Sequence, residues 1–111
     1  YVVGGKFQQA AIQNRAGNYV KANGETSAAG LAQIVLDDKL RGTDANPAGA
    51  NAFPIVSLTW ILAEPGHKTD SVKPALRYML SEEAQGASDS LGYVPLPESL
   101  RQKSLAAVNS L

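Results

Sequence analysis

Pro54-Ile55-Val56-Ser57-Leu58-Thr59-Trp60-Ile61-Leu62 carries the strongest β signal in this sequence. Side chains alternate across a strand, so Val56, Leu58, Trp60 and Leu62 fall on one side and Ile55, Ser57, Thr59 and Ile61 on the other. Both sides carry bulky groups. The pattern therefore predicts an interior strand covered on two faces, with Pro54 at its first position, where a missing ladder donor is tolerated. Hydroxyls on a covered face need partners, which makes Ser57 and Thr59 the more interesting residues of the stretch. Trp60, among apolar neighbours, reads as a core residue in preference to a ligand platform.

Upstream, residues 7–13 read as a short strand closed by the turn-like run Asn14-Arg15-Ala16-Gly17, and residues 18–21 as extended chain. A helix follows, capped by Thr26 or Ser27 and running to about Leu40. Leu31, Ile34 and Val35 supply its apolar stripe. Asp44-Ala45-Asn46-Pro47-Ala48-Gly49 has the chemistry of a loop. Downstream, Val72, Ala75, Leu76, Met79 and Leu80 recur at helical spacing, and Pro74 fits a first turn if Asp70 or Ser71 caps. Ser81 caps a further helix to about Asp89, whose Ala84, Ala87 and Leu91 would face inward, and Gly92 stops it. Tyr93-Val94-Pro95-Leu96-Pro97 is a stiff connector. Pro97 opens a last helix with Leu100, Ala107, Val108 and Leu111 on one face. The expected order is strand, helix, strand and three helices, an α/β chain.

Composition narrows the function. The 111 residues are 44% hydrophobic, with ten basic side chains against ten acidic ones. That length suits one domain, and a chain without basic surplus does not fit a nucleic-acid binder. The sequence has no cysteine, which excludes disulfides, thiolate catalysis and Cys-type zinc sites. It begins at Tyr1 with no signal-peptide pattern, so the expectation is a processed chain or a piece of a longer one. The longest apolar-rich stretch, residues 53–63, is about half the roughly 20 residues a membrane span needs.

A catalytic set does not assemble. His67 is the single histidine and reads as a surface turn residue. Asp37-Asp38 and Glu82-Glu83 are adjacent pairs whose members diverge around a helix, and the glutamates suit a first helical turn. The loop at Asp44 has Ile55 where a calcium loop needs its twelfth-position acid. Gly4-Gly5-Lys6 lacks the spacing of a phosphate-binding loop. No catalytic, ligand-binding or metal residue is assigned, no cofactor is expected, and an enzyme, including a small hydrolase, is not the expected class.

Three stretches in order, Ala11-Ile12-Gln13-Asn14-Arg15-Ala16-Gly17, Ala52-Phe53 with the strand 54–62, and Leu91-Gly92-Tyr93-Val94-Pro95-Leu96-Pro97, resemble the carboxy-terminal part of the periplasmic phosphate-binding proteins of bacterial phosphate ABC transporters, the PstS type. The helix over 71–80 and Ser81-Glu82-Glu83-Ala84-Gln85 fit between the second and third. The resemblance implies part of a periplasmic-binding-protein type II fold, two α/β lobes joined by crossing strands. It divides the chain into residues 1–50 as a piece of the second lobe, 51–64 as a hinge-crossing strand and 65–111 as helices packing on the first lobe. The family's anion-binding loops have no counterpart here, so no phosphate ligand is carried onto a numbered position. The implied partners are inorganic phosphate, only with the missing upstream part, and the membrane permease of the transporter. Exposed sheet edges would permit a homo-oligomer, and the implied location is the periplasm or cell envelope. The alternative is a free-standing, non-catalytic interaction or structural module that reuses half of a solute-binding fold.

Overall fold

Asn14 organises the first turn of the chain. In the computed structural model, which describes residues 7–66 and 69–111, strand β1 (Ile12–Gln13) pairs antiparallel with β2 (Tyr19–Val20), Ile12 opposite Val20. The Asn14 Oδ1 accepts from the Ala16 and Asn18 amides, and Gly17 takes the left-handed φ of 86° that closes the turn. The Asn14 Nδ2 donates to the carbonyls of Gly49, Ala50 and Ala52 at 3.2, 2.9 and 3.2 Å. The side chain is only 5% exposed, so these bonds lie away from competing water. Only the last two residues of the expected strand 7–13 enter the ladder. The rest have no neighbouring strand, and Phe7 stands exposed.

Helix α1 (Gly24–Leu31) begins earlier and ends sooner than its periodicity predicts. Asn23 caps it: its side chain accepts from the Thr26 amide at 2.8 Å while the Thr26 hydroxyl accepts from the Asn23 amide at 3.1 Å. Gly30 lets α1 lie close to the following chain, since a Cβ there would sit 2.6 Å from the Phe53 carbonyl oxygen. Beyond Leu31 the bonds tighten to Gln33 onto Gly30 and Ile34 onto Leu31. Ile34 and Leu36 are buried while Val35 between them is 85% exposed, the alternation of extended chain. What displaces helix here is Asp37, whose carboxylate gathers the Lys39 and Arg41 amides at 2.8 Å each and the Arg41 Nε at 2.9 Å. The expected extension of α1 to Leu40 is thereby replaced by a tight turn.

Three helices complete the chain: α2 (Thr69–Met79), α3 (Glu82–Ala87) and α4 (Glu98–Ser110). Pro74 lies in the second turn of α2, not the first, and leaves the Asp70 carbonyl without its i+4 donor. Val72, Leu76 and Leu80 are half-buried, whereas Ala75 and Met79 face out. Ser81 caps α3 as expected, accepting from the Ala84 amide at 3.2 Å. That helix stops at Ala87 and passes through a 3₁₀ turn to Gly92, whose φ of 80° ends it; Ala87 and Leu91 are exposed, so only Ala84 of the expected inward face is covered. Gln85 fixes the connector, donating to the Met79 carbonyl and accepting from the Leu96 amide, both at 2.8 Å. Arg101, with its side chain 12% exposed, donates to the Leu80 carbonyl and pairs with Glu98 at 2.8 Å, tying the end of α2 to the start of α4.

The core is small. Leu31, Ile34, Leu36 and Leu100 are buried together, with Leu40, Val56, Leu58 and Val94 packed around them. The Lys103 ammonium bonds the Leu36 carbonyl and anchors α4 to this cluster. Accessible surface totals 7784 Å², against about 5,800 Å² for a folded monomer of this size. The radius of gyration is 15.5 Å, where about 13 Å is usual. A substantial part of the apolar surface has nothing packed on it.

Candidate functional site: an open apolar trough

The stretch that dominates the sequence is not a strand here. Residues 54–62 form no ladder, and among the described residues the backbone of 54–64 makes no hydrogen bond to another segment. A strand needs a neighbour to bond, and the hairpin β1–β2, the one sheet among the described residues, lies elsewhere in the chain. Part of the alternation survives. Val56 and Leu58 turn toward the core, while Ile55, Ser57 and Thr59 turn out. The second covered face does not exist: Ile55 is 71% and Leu62 98% exposed. Trp60, expected in the core, is half-exposed, and its Nε1 donates to the Leu40 carbonyl at 2.7 Å. That bond is the polar tie between 54–64 and the remainder of the described chain. It falls on a residue held in the left-handed region, Leu40 at φ 58°.

Between this segment and the helices opens a trough of about 770 Å³. Its floor is the core cluster, and its walls include Leu76 of α2, Tyr93 of the connector and Val108 of α4. Among the described residues no Asp, Glu, Lys, Arg or His lines it; Ser57, Thr59, Gln85 and Ser104 are among its few polar side chains. Ser57 is turned onto its own neighbour, donating to the Leu58 carbonyl at 3.2 Å. Binding of a dehydrated oxyanion rests on charge-assisted donors such as Arg and on helix N-termini. Such donors are not what this lining provides. Arg15 is exposed on the hairpin turn, outside the trough.

The other candidates take structural places. Asp37 is consumed by its turn, and the Arg41 amide, then the Arg41 side chain, hold its carboxyl below the usual range. Glu82 and Glu83 stand in the first turn of α3. Asp44 accepts from the Asn46 amide at 2.9 Å, an Asx turn within a loop. Among the described residues no group of three metal-ligating side chains converges. Gly4-Gly5-Lys6 and His67 lie outside the described residues. Sequence reading missed the long-range work of Asn14, Gln85 and Arg101. Asn14 was legible as a turn residue, but nothing local marks its partners 35 to 38 positions away.

Two comparisons bear on this arrangement. No protein-family profile matches the chain. The phosphate-binding protein PstS of Methanocaldococcus jannaschii is 29% identical over an alignment of 129 positions that takes in all of this chain and 33% of that protein. The relationship is a distant one, to a phosphate-binding protein. The chain spans about a third of the length of the curated relative it matches. A small helical chain with a two-stranded sheet is compatible with a piece of an α/β protein. No helix among the described residues is long and apolar enough to cross a membrane.

Proposed function

We propose that these residues are the carboxy-terminal portion of a PstS-type substrate-binding component for inorganic phosphate uptake by an ABC transporter, with the groups that grip the anion encoded outside them. The observation that carries this reading is the alignment to PstS along the whole chain. Two structural features support it. Residues 54–62 have the composition of an interior strand and no strand beside them, as a piece cut from a larger sheet would. No charged side chain of the described residues lines the trough, which is consistent with anion recognition by residues elsewhere. In this reading residues 1–50 belong to one lobe, 51–64 cross the hinge, and 65–111 pack on the other lobe. The partners are inorganic phosphate and the membrane permease, and the location is the periplasm or cell envelope. The excess exposed surface speaks against a free-standing module.

Calorimetric titration of inorganic phosphate into the product of the full reading frame containing these residues tests the proposal. Saturable binding there, with no measurable binding by the 111-residue chain alone, is the expected pair of results. Failure of the full product to bind phosphate overturns the assignment. Equal affinity in the short chain overturns the claim that the grip lies elsewhere.

A further inference from the structure

We infer that Asn23–Gly24 is a spontaneous modification site, at which the Gly24 backbone nitrogen closes on the Asn23 side-chain amide, expels ammonia and leaves an aspartyl or isoaspartyl link at the start of α1. The dipeptide is the first observation. Of the six asparagines in the sequence, Asn23 is the one followed by glycine, and the missing Cβ leaves the approach of the following nitrogen unobstructed. Arg15, Tyr19, Pro47, Ala52 and Ser110 follow the others.

The cap supplies the rest. The reaction needs a free N–H, an electrophilic carbonyl carbon and an amine able to depart. Gly24 opens α1, where an amide has no intrahelical acceptor, and no other acceptor for it lies among the described residues. The Thr26 amide donates to the Asn23 Oδ1 at 2.8 Å, where negative charge gathers as Cγ becomes tetrahedral. The Asn23 Nδ2, the departing group, is bonded to no described residue, whereas the Asn14 Nδ2 is tied to three carbonyls. Asn23 and Gly24 are exposed and neither lines the trough, so the site does not depend on what covers that face.

The step balances with water as its one co-reactant. The N–Cγ bond forms as Cγ–Nδ2 breaks, and the Gly24 amide proton leaves with the ammonia. Water then opens the cyclic imide. Cleavage at Cγ gives an aspartyl residue, and cleavage at the α-carbonyl routes the main chain through Cβ and Cγ as isoaspartate. An aspartyl N-cap holds the Thr26 amide as asparagine does and adds negative charge where the helix dipole favours it. Isoaspartate lengthens the main chain by a methylene and draws Cγ into the peptide link, so the capping bond is lost. The Thr26 carbonyl accepts from the Phe53 amide at 2.9 Å, so loosening this turn also loosens the chain entering residues 54–62.

The inference is independent of phosphate, and its failure leaves the binding proposal standing. The product of the full reading frame containing these residues is aged in its native state at mildly basic pH, beside the same product held unfolded in guanidinium chloride. Peptide mass spectrometry reads amide loss, and enzymatic methylation reads isoaspartate. Native Asn23 should convert at least about tenfold faster than the other asparagines of these residues, giving both aspartate and isoaspartate. A Cβ at position 24 would meet the Asp89 Oδ1 at 3.7 Å, an ordinary contact, so Gly24→Ala keeps the fold. That variant should slow the conversion by about tenfold or more. The isoaspartyl fraction of the aged protein, separated by ion exchange, should exchange the first-turn amides of α1 roughly fivefold faster, and fresh Asn23→Asp should not. Asn23 that keeps its amide in the native product while the unfolded control converts overturns the inference. So does conversion of Gly24→Ala at the unsubstituted rate, or aspartate formed with no isoaspartate.

Discussion

At the scale of single residues, Asn14 does more for this fold than its position in a turn implies. One amide group closes the hairpin from within and reaches three carbonyls of the loop that precedes residues 54–62. Replacing it by alanine removes all of these bonds and leaves the Ala52 carbonyl without that donor in a buried setting. Asn14→Ala should cost about 2 kcal/mol or more, seen as a lower urea midpoint at unchanged slope. Two exposed carboxylates contribute to the acid side of the stability profile. The Arg41 amide and side chain hold Asp37 below its ordinary value, and the Arg101 side chain, then Gln102, do the same for Glu98. A depressed folded pKa means that the unfolded chain takes up the proton first. The stabilisation is therefore complete above roughly pH 5 and fades as the solution is acidified through about pH 4 and below. Thermal unfolding followed across that range should show the loss, and Asp37→Asn should flatten part of it.

At the scale of elements, what is legible in the sequence is what neighbours in sequence decide. The Asn14–Gly17 turn, the Ser81 cap and the Gly92 stop each involve groups within a few positions of one another, and the structure places them as the sequence predicts. The end of α1 was not legible from hydrophobic period, because Leu31, Ile34 and Val35 fit a helical stripe while Ile34 and Leu36 equally fit the alternation of extended chain. The side chain of Asp37 decides between them by capturing two amides further on. The candidate site was less legible still. The pattern of 54–62 predicts a strand covered on two faces, whereas Ile55, Ile61 and Leu62 stand exposed and no ladder partner lies among the described residues. The helix caps can be tested individually. Asn23→Ala should release the capping box of α1 at about 1 kcal/mol, and hydrogen exchange should show its first-turn amides opening roughly fivefold more often.

At the scale of the molecule, the packing is lopsided. One small cluster holds α1, the 34–36 segment and α4 together, while α2, the connector and residues 54–62 form the banks of an open trough. Polar side chains, not apolar burial, hold several of the joints: Gln85 to the connector, Arg101 to the end of α2, Lys103 to the Leu36 carbonyl. The bond from the Trp60 indole to Leu40 is the thinnest of these joints, and it spans the boundary between the settled core and the unpaired segment. Since the sequence contains one tryptophan, the indole emission of this protein, excited on the red side of tyrosine absorption, reports on that junction. Its colour and quenching are an intrinsic optical gauge of whether the segment is seated or free, with no dye attached.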